Sequence, residues 1–158
     1  MKKNRLLLNG KIIFLFLFVI LLTIVLLGHN STVRIITIRG NSMNPTLSCG
    51  DRVIVICSQN AIENIQYKDI VIFTPPENPT EKFVKRVIAM EKEEYVLNEG
   101  GLTVDGKNYC EEYVKCPEFL ISESSLCSGV VPENKVYLLG DNRVLSNDSR
   151  RFGYVCST

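Results

Sequence analysis

The chain opens on a basic segment, passes into a long apolar run, and then changes to short alternating stretches that last to its end. From Ile12 to Leu27 the run reads IIFLFLFVILLTIVLL, broken only by Thr23. As a helix it would cover roughly 24 Å of a hydrocarbon core about 30 Å thick. With Gly28 included and Lys11 snorkelling, the pattern predicts a membrane anchor over 12–28. A cleaved secretory signal also begins with bases and an apolar run. Here, however, the run is long for such a segment, and Leu26-Leu27-Gly28-His29-Asn30 is no Ala-x-Ala cleavage site.

After Gly28 the period falls toward two. Runs of β-branched and aromatic residues predict strands at Val33 to Ile38, Arg52 to Cys57, Asp69 to Phe73, Phe83 to Met90, Tyr95 to Leu97 and Val136 to Leu139. Turn chemistry separates them at Ser48-Cys49-Gly50-Asp51 and at Thr74-Pro75-Pro76-Glu77-Asn78-Pro79, while Asp105-Gly106 suits a two-residue hairpin. Glu111 to Pro132 shows no alternation and reads as a long loop or surface insertion. No helical periodicity of useful length is found outside the apolar run. The expected fold class is therefore mostly β, with antiparallel sheets and coiled connections behind one N-terminal transmembrane helix. The organisation is 1–11 as a basic cytoplasmic segment, 12–28 as the anchor and 29–158 as an extracytoplasmic β-domain.

Charge distribution sets the orientation. Lys2, Lys3, Arg5 and Lys11 precede the run with no acid among them, which places the N-terminus in the cytoplasm and the β-domain outside the cell membrane. The remaining residues hold 14 of the 18 bases against 17 acids, a mildly acidic body that excludes nucleic acid as a partner. All six cysteines follow the run; an external location permits disulfides, and six cysteines allow 15 full pairings, so connectivity is not readable. No cysteine pair has zinc-knuckle spacing and the single histidine, His29, flanks the membrane run, so no metal or other cofactor is expected.

One histidine at the membrane edge also argues against a Ser-His-Asp triad. A serine nucleophile would need another base, and lysine is the known substitute. Ser42 lies in Arg39-Gly40-Asn41-Ser42-Met43-Asn44-Pro45-Thr46-Leu47, between a glycine turn and a proline, a setting that fits an ordinary turn serine equally well. On a strand, Lys85 would share its face with Phe83 and Val87, and apolar neighbours lower an amine's pKa by desolvation. To be half neutral at pH 7 a lysine must fall about 3.4 units, worth roughly 4.6 kcal/mol. The alternative is a surface lysine that keeps its charge in water. A third segment, Gly140 to Arg150, is dense in hydrogen-bonding side chains and suits either a solvated loop or the wall of a buried ionisable site.

Together these segments resemble the bacterial type I signal peptidases. Ser42-Met43-x-Pro45-Thr46-Leu47 is similar to that family's nucleophile box and Lys85-Arg86-Val87 to its general-base box. Gly140-Asp141-Asn142-Arg143-x-x-Ser146-x-Asp148-Ser149-Arg150 resembles its third signature, and Lys68-Asp69-Ile70-Val71 the strand motif between the first two. The resemblance implies a signal-peptidase-like β-domain and a membrane-bound serine endopeptidase acting on secretory precursors with small residues before the cut. It implies Ser42 as nucleophile, Lys85 as general base and Ser146 as the group that orients the Lys85 nitrogen. Asp148 and Arg150 are implied as a bracing ion pair, with Asp141 and Arg86 as further supporting residues, and the Ser42 N–H as an oxyanion donor. Precursor proteins and membrane lipid are the implied partners, with no cofactor and no stated oligomeric state. Gly40 stands where many members place a serine, which leaves the second oxyanion donor unassigned. Three other readings share some of these features: a peptidase dedicated to one pilin or conjugation precursor, a self-cleaving Ser-Lys repressor, and an inactive membrane-anchored binding module.

Overall fold

The computed structural model describes residues 12–23, 31–58, 63–75, 78–98, 101–114 and 127–156, and ten antiparallel strands carry the body of the protein among them. Helix α1, residues 12–23, comes first and leaves its apolar side chains exposed. Among the described residues no helix is long and apolar enough to cross a membrane. The expected anchor continues to Gly28, and its last part, with the basic segment before it, lies outside the described residues.

Strands β1 (Ser31–Thr37) and β2 (Arg52–Ser58) form a two-stranded ribbon. Its register sets Val33 opposite Ile56 and Ile35 opposite Ile54. With side chains alternating along each strand, these four share one face, and all four are well exposed. A second sheet has the order β10-β9-β4-β3, built from β3 (Ile70–Phe73), β4 (Phe83–Ala89), β9 (Lys135–Leu139) and β10 (Val155–Cys156). The third, β7-β6-β5-β8, comprises β5 (Glu94–Asn98), β6 (Gly101–Val104), β7 (Lys107–Tyr109) and β8 (Ser128–Val130). A one-turn helix, α2 (Ser149–Phe152), is capped by Asp148, whose carboxylate accepts from the Arg150 N–H.

The core divides along the two faces of the second sheet. Ile88, Ala89, Tyr137 and Leu139 pack on Tyr95, Leu97, Leu102 and Val104 of the third sheet, with Tyr95 and Tyr137 stacked at 4.0 Å between ring centroids. On the opposite face Val87, Val136, Leu138 and Val155 gather Val71, Phe73 and Phe152 around them. Burial of side chains of this size contributes about 1.5–3 kcal/mol each, enough to hold β4 and β9 as the fixed centre against which the loops are placed.

All six expected strands are present within a residue or two of their predicted ends. The Asp105-Gly106 turn joins β6 to β7 with both residues at positive φ, 48° and 74°, as a type I′ hairpin requires. Strands β6, β7, β8 and β10 and the helix α2 were not legible: β7, β8 and β10 have two or three residues, too few to show a period, and β6, as short as β3, lacks its unbroken β-branched and aromatic run. β8 falls inside the stretch read as a loop, of which residues 115–126 lie outside the described residues. Cys49, Cys57, Cys110 and Cys156 are free thiols, and Cys116 is outside the described residues.

Candidate active site

Positive φ at Gly40, +83°, turns the chain out of the β1 direction and into residues 41–47. That segment winds tightly: the Asn44 N–H donates to the Asn41 carbonyl at 3.2 Å and the Leu47 N–H to Met43 at 2.9 Å. Met43 is buried and acts as the anchor, while Ser42 beside it stays half-buried and keeps one side open. Two bonds from Asn142 fasten the turn to the loop after β9: its N–H donates to the Ser42 carbonyl at 3.0 Å, and its Nδ2 donates to the Asn41 carbonyl at 3.2 Å.

Lys85 stands in the middle of β4 with only 3% of its surface exposed. Its cross-strand neighbour is Val71, and its ammonium lies 5.1 Å from the centre of the Phe83 ring. Phe83 in turn packs with Phe73 and Phe152 at centroid distances of 6.2 and 6.4 Å. The strand face expected from alternation is thus lined by Val71 and Phe83. Lys85 Nζ donates to Ser42 Oγ at 3.0 Å and to the Val84 carbonyl at 3.0 Å. Burial lowers the Lys85 pKa from the ordinary 10.5 to about 8, with the negative charge of Asp148 opposing the fall. A pKa of 8 leaves about a tenth of the amine neutral at pH 7, short of the half-neutral state considered above.

Ser146 departs from expectation. Its side chain is buried beside Ser42 and Gly140, but its Oγ has no hydrogen-bond partner among the described residues and makes no bond to Lys85. The Lys85 nitrogen is already directed at Ser42 Oγ and the Val84 carbonyl, so the expected orienting bond is absent in this arrangement. Gly140 explains how the three can lie so close: a Cβ there would collide with Ser146 Oγ and with the Ser42 carbonyl oxygen. Only glycine leaves room for the serine turn and the Ser146 loop to meet.

The expected acidic and basic residues form two pairs behind the site. Arg86 grips Asp141 with two parallel bonds, Nε to Oδ1 at 2.8 Å and Nη2 to Oδ2 at 2.6 Å, and donates a third to the Lys68 carbonyl. Burial alone would lower the Arg86 pKa, but the hydrogen bond and charge of Asp141 hold it above its ordinary value. Arg150 grips Asp148 in the same way, at 2.8 and 2.9 Å, and Asp148 also accepts from the Gly140 N–H at 3.1 Å. For Arg150 burial again acts downward and Asp148 overcomes it. Both carboxylates are fully buried. Each ion pair therefore ties a β4 or α2 residue to the 140–148 loop.

Three further residues were not assigned a role from sequence. Arg143, quoted only as part of a motif, is buried and donates from Nε to the Gly140 carbonyl at 3.1 Å and from Nη1 to Glu111 at 3.0 Å. Tyr113 donates its hydroxyl to Glu111 at 2.7 Å and lays its ring over the Arg86 guanidinium at 4.0 Å. Glu111 and Tyr113 sit in the stretch read as an irregular loop, where local pattern carries no signal. Among the described residues no cluster of potential ligands could hold a metal ion.

A buried amine in contact with a half-open serine hydroxyl can remove that hydroxyl's proton when the amine is neutral. The sequence model described as "Signal peptidase, peptidase S26" matches residues 11–158. A protein of Synechocystis sp. named "Probable signal peptidase I-1" is 35% identical over 125 residues, covering 75% of this chain and 62% of the relative, so the match spans less than two thirds of that protein. "Signal peptidase IB" of Staphylococcus aureus is 32% identical over 133 residues, 75% of this chain and 69% of the relative. A crystal structure of a signal peptidase I from Enterococcus faecalis superposes with a TM-score of 0.50 at 28% identity, covering 60% of this chain and 91% of that one.

Proposed function

The chain belongs to the signal peptidase family, peptidase S26, and from that premise we propose that it is a membrane-anchored serine endopeptidase removing N-terminal signal peptides from secretory precursors. The observation that carries the reading is the 3.0 Å contact between Lys85 Nζ and Ser42 Oγ inside an apolar strand environment. In the neutral amine the Nζ lone pair accepts the Ser42 proton as Oγ bonds to the scissile carbonyl carbon. The resulting ammonium returns the proton to the leaving amine, and the C–N bond breaks to give an acyl-Ser42 ester. Lys85 then takes a proton from water as hydroxide adds to that ester, and gives it back to Ser42 Oγ as the acid leaves. The Ser42 N–H serves as a donor to the oxyanion formed at each addition.

Asp148 with Arg150 and Asp141 with Arg86 brace the loop and strand, and no cofactor takes part. Ser146, whose buried Oγ has no hydrogen-bond partner among the described residues, accepts from Lys85 in this reading once the amine turns toward it during turnover.

Membrane attachment follows the same reading. Helix α1 is apolar from Ile12 to Leu22, and the eight Cα–Cα steps from Thr23 to Ser31 reach on the order of 28 Å at most, so the β-domain stays near the bilayer. The exposed Val33, Ile35, Ile54 and Ile56 face adds an apolar surface suited to lipid. Precursors whose signal segments lie in the same bilayer are then met over a short range.

The deciding experiment is cleavage of a membrane-reconstituted Ala-x-Ala precursor by wild type, Ser42→Ala and Lys85→Met, with folding followed by circular dichroism. Cleavage at the expected bond by wild type alone, with all three folded, supports the dyad. Cleavage by either variant removes it, and an inactive wild type on several precursors favours a dedicated substrate or a binding role.

A further inference from the structure

Residues 111–114 leave the third sheet after β7 and close into a tight turn, with the Val114 N–H donating to the Glu111 carbonyl at 2.9 Å. This turn reaches the two arginines that flank the dyad. Glu111 takes two bonds from Arg143, and both side chains are buried, with 7% and 0% of their surfaces exposed. Tyr113 donates to Glu111 and covers Arg86 with its ring. Arg86 is the residue after Lys85. Arg143 is the residue after Asn142, whose N–H holds the Ser42 carbonyl, and its own Nε holds the Gly140 carbonyl. The chain is closed on the far side by Arg150 Nη2, which donates to the Arg143 carbonyl at 2.6 Å.

One carboxylate in the turn after the third sheet thus bonds Arg143 directly and reaches Arg86 through the Tyr113 ring. We propose that Glu111, with Tyr113, is a positioning residue: a strap from the third sheet that sets the separation of Lys85 Nζ and Ser42 Oγ through Arg143 and Arg86. This deepens the peptidase reading and rests on it. Buried ion pairs need well-oriented partners, and Glu111 is the partner that Arg143 has. Loss of reach at Glu111 frees Arg143, and with it the Gly140 and Asn142 contacts that press the serine turn onto β4. A displacement near 1 Å in a reacting pair costs on the order of a hundredfold in rate, so a partial loosening is measurable well before the fold is lost.

The test uses full-length protein in detergent or vesicles and substitutions that keep the charge. Glu111→Asp retains the carboxylate but shortens it, so that it cannot span Arg143 and Tyr113 together. Tyr113→Phe removes the hydroxyl bond and retains the ring over Arg86. The charge acting on Lys85, that of Asp148, is untouched by either. We expect Glu111→Asp to lower kcat about tenfold with KM within about twofold, and to move the acid limb of the pH profile upward by about half a pH unit or more as water reaches Lys85. Tyr113→Phe should move both in the same direction by less.

A purely structural Glu111 would lower the melting midpoint and leave kcat and the limb of the folded fraction unchanged; that result overturns the proposal. Should Glu111→Asp not fold, an unmoved limb in Tyr113→Phe overturns it alone. Titration of the Lys85 ammonium by nitrogen-15 resonance, assigned with Lys85→Met, reads the same shift without any substrate. If wild type does not cleave, the peptidase reading fails by itself, while an unchanged Lys85 titration in Glu111→Asp is what rejects the strap.

Discussion

Lys85 Nζ and Ser42 Oγ, from segments 43 residues apart, meet at 3.0 Å on a strand face closed by Val71 and Phe83. The same apolar surroundings that lower the lysine's pKa to about 8 determine how activity must vary with pH.

In the proposed mechanism the neutral amine is the reactive form, so kcat/KM should rise with pH through a midpoint near 8. Below that midpoint the rate should fall about tenfold per pH unit as the ammonium accumulates. Cleavage rates across pH 6 to about 9 check this; a profile flat through pH 8 would remove Lys85 as the base.

Stability should respond in the opposite sense to the ordinary lysine. The Lys85 pKa is lower in the folded state, about 8 against 10.5, so between those values the unfolded chain holds a proton that the folded chain lacks. Unfolding free energy therefore rises with pH across that window, and below about 8 the folded protein carries the full cost of the buried ammonium. That cost is roughly 3 kcal/mol, so Lys85→Met should be more stable than wild type at pH 7 by up to about that amount while losing cleavage. Urea unfolding of both proteins at pH 7 and near 10.5 measures the difference, which should shrink at the higher pH.

Asp141→Ala should be strongly destabilising. It leaves the buried Arg86 guanidinium without the carboxylate that takes two of its bonds, and uncompensated buried charges cost about 3–5 kcal/mol. The double substitution Asp141→Ala with Arg86→Met should recover part of that loss, as denaturant midpoints will show.

Gly140→Ala should abolish cleavage through geometry alone. The added methyl collides with Ser146 Oγ and with the Ser42 carbonyl, and either relief moves a member of the site. Overpacking of this kind costs about 1–3 kcal/mol, so the variant should still fold by circular dichroism while kcat falls by at least about a hundredfold.

The amino-acid sequence by itself determined the apolar run, six of the strands, the Asp105-Gly106 hairpin turn and the motif spacing that singles out Ser42 and Lys85. These are local properties: period, turn chemistry and motif spacing are present in the unfolded chain. Lys85 already had its apolar flanks, Phe83 and Val87, two residues away on either side. Tertiary structure alone decided how far its pKa falls, because that depends on Val71 across the sheet, on the Phe73 and Phe152 rings packed behind Phe83, and on the opposing charge of Asp148. It also decided which acid meets which arginine. Arg86 and Asp141 are 55 residues apart and Arg143 and Glu111 are 32 apart, and only the packing of strands and loops brings them within reach. Ser146 shows the limit most clearly: its place in the motif was legible, but the direction of its hydroxyl depends on how the loop packs against Gly140 and the Ser42 carbonyl, which no local pattern encodes.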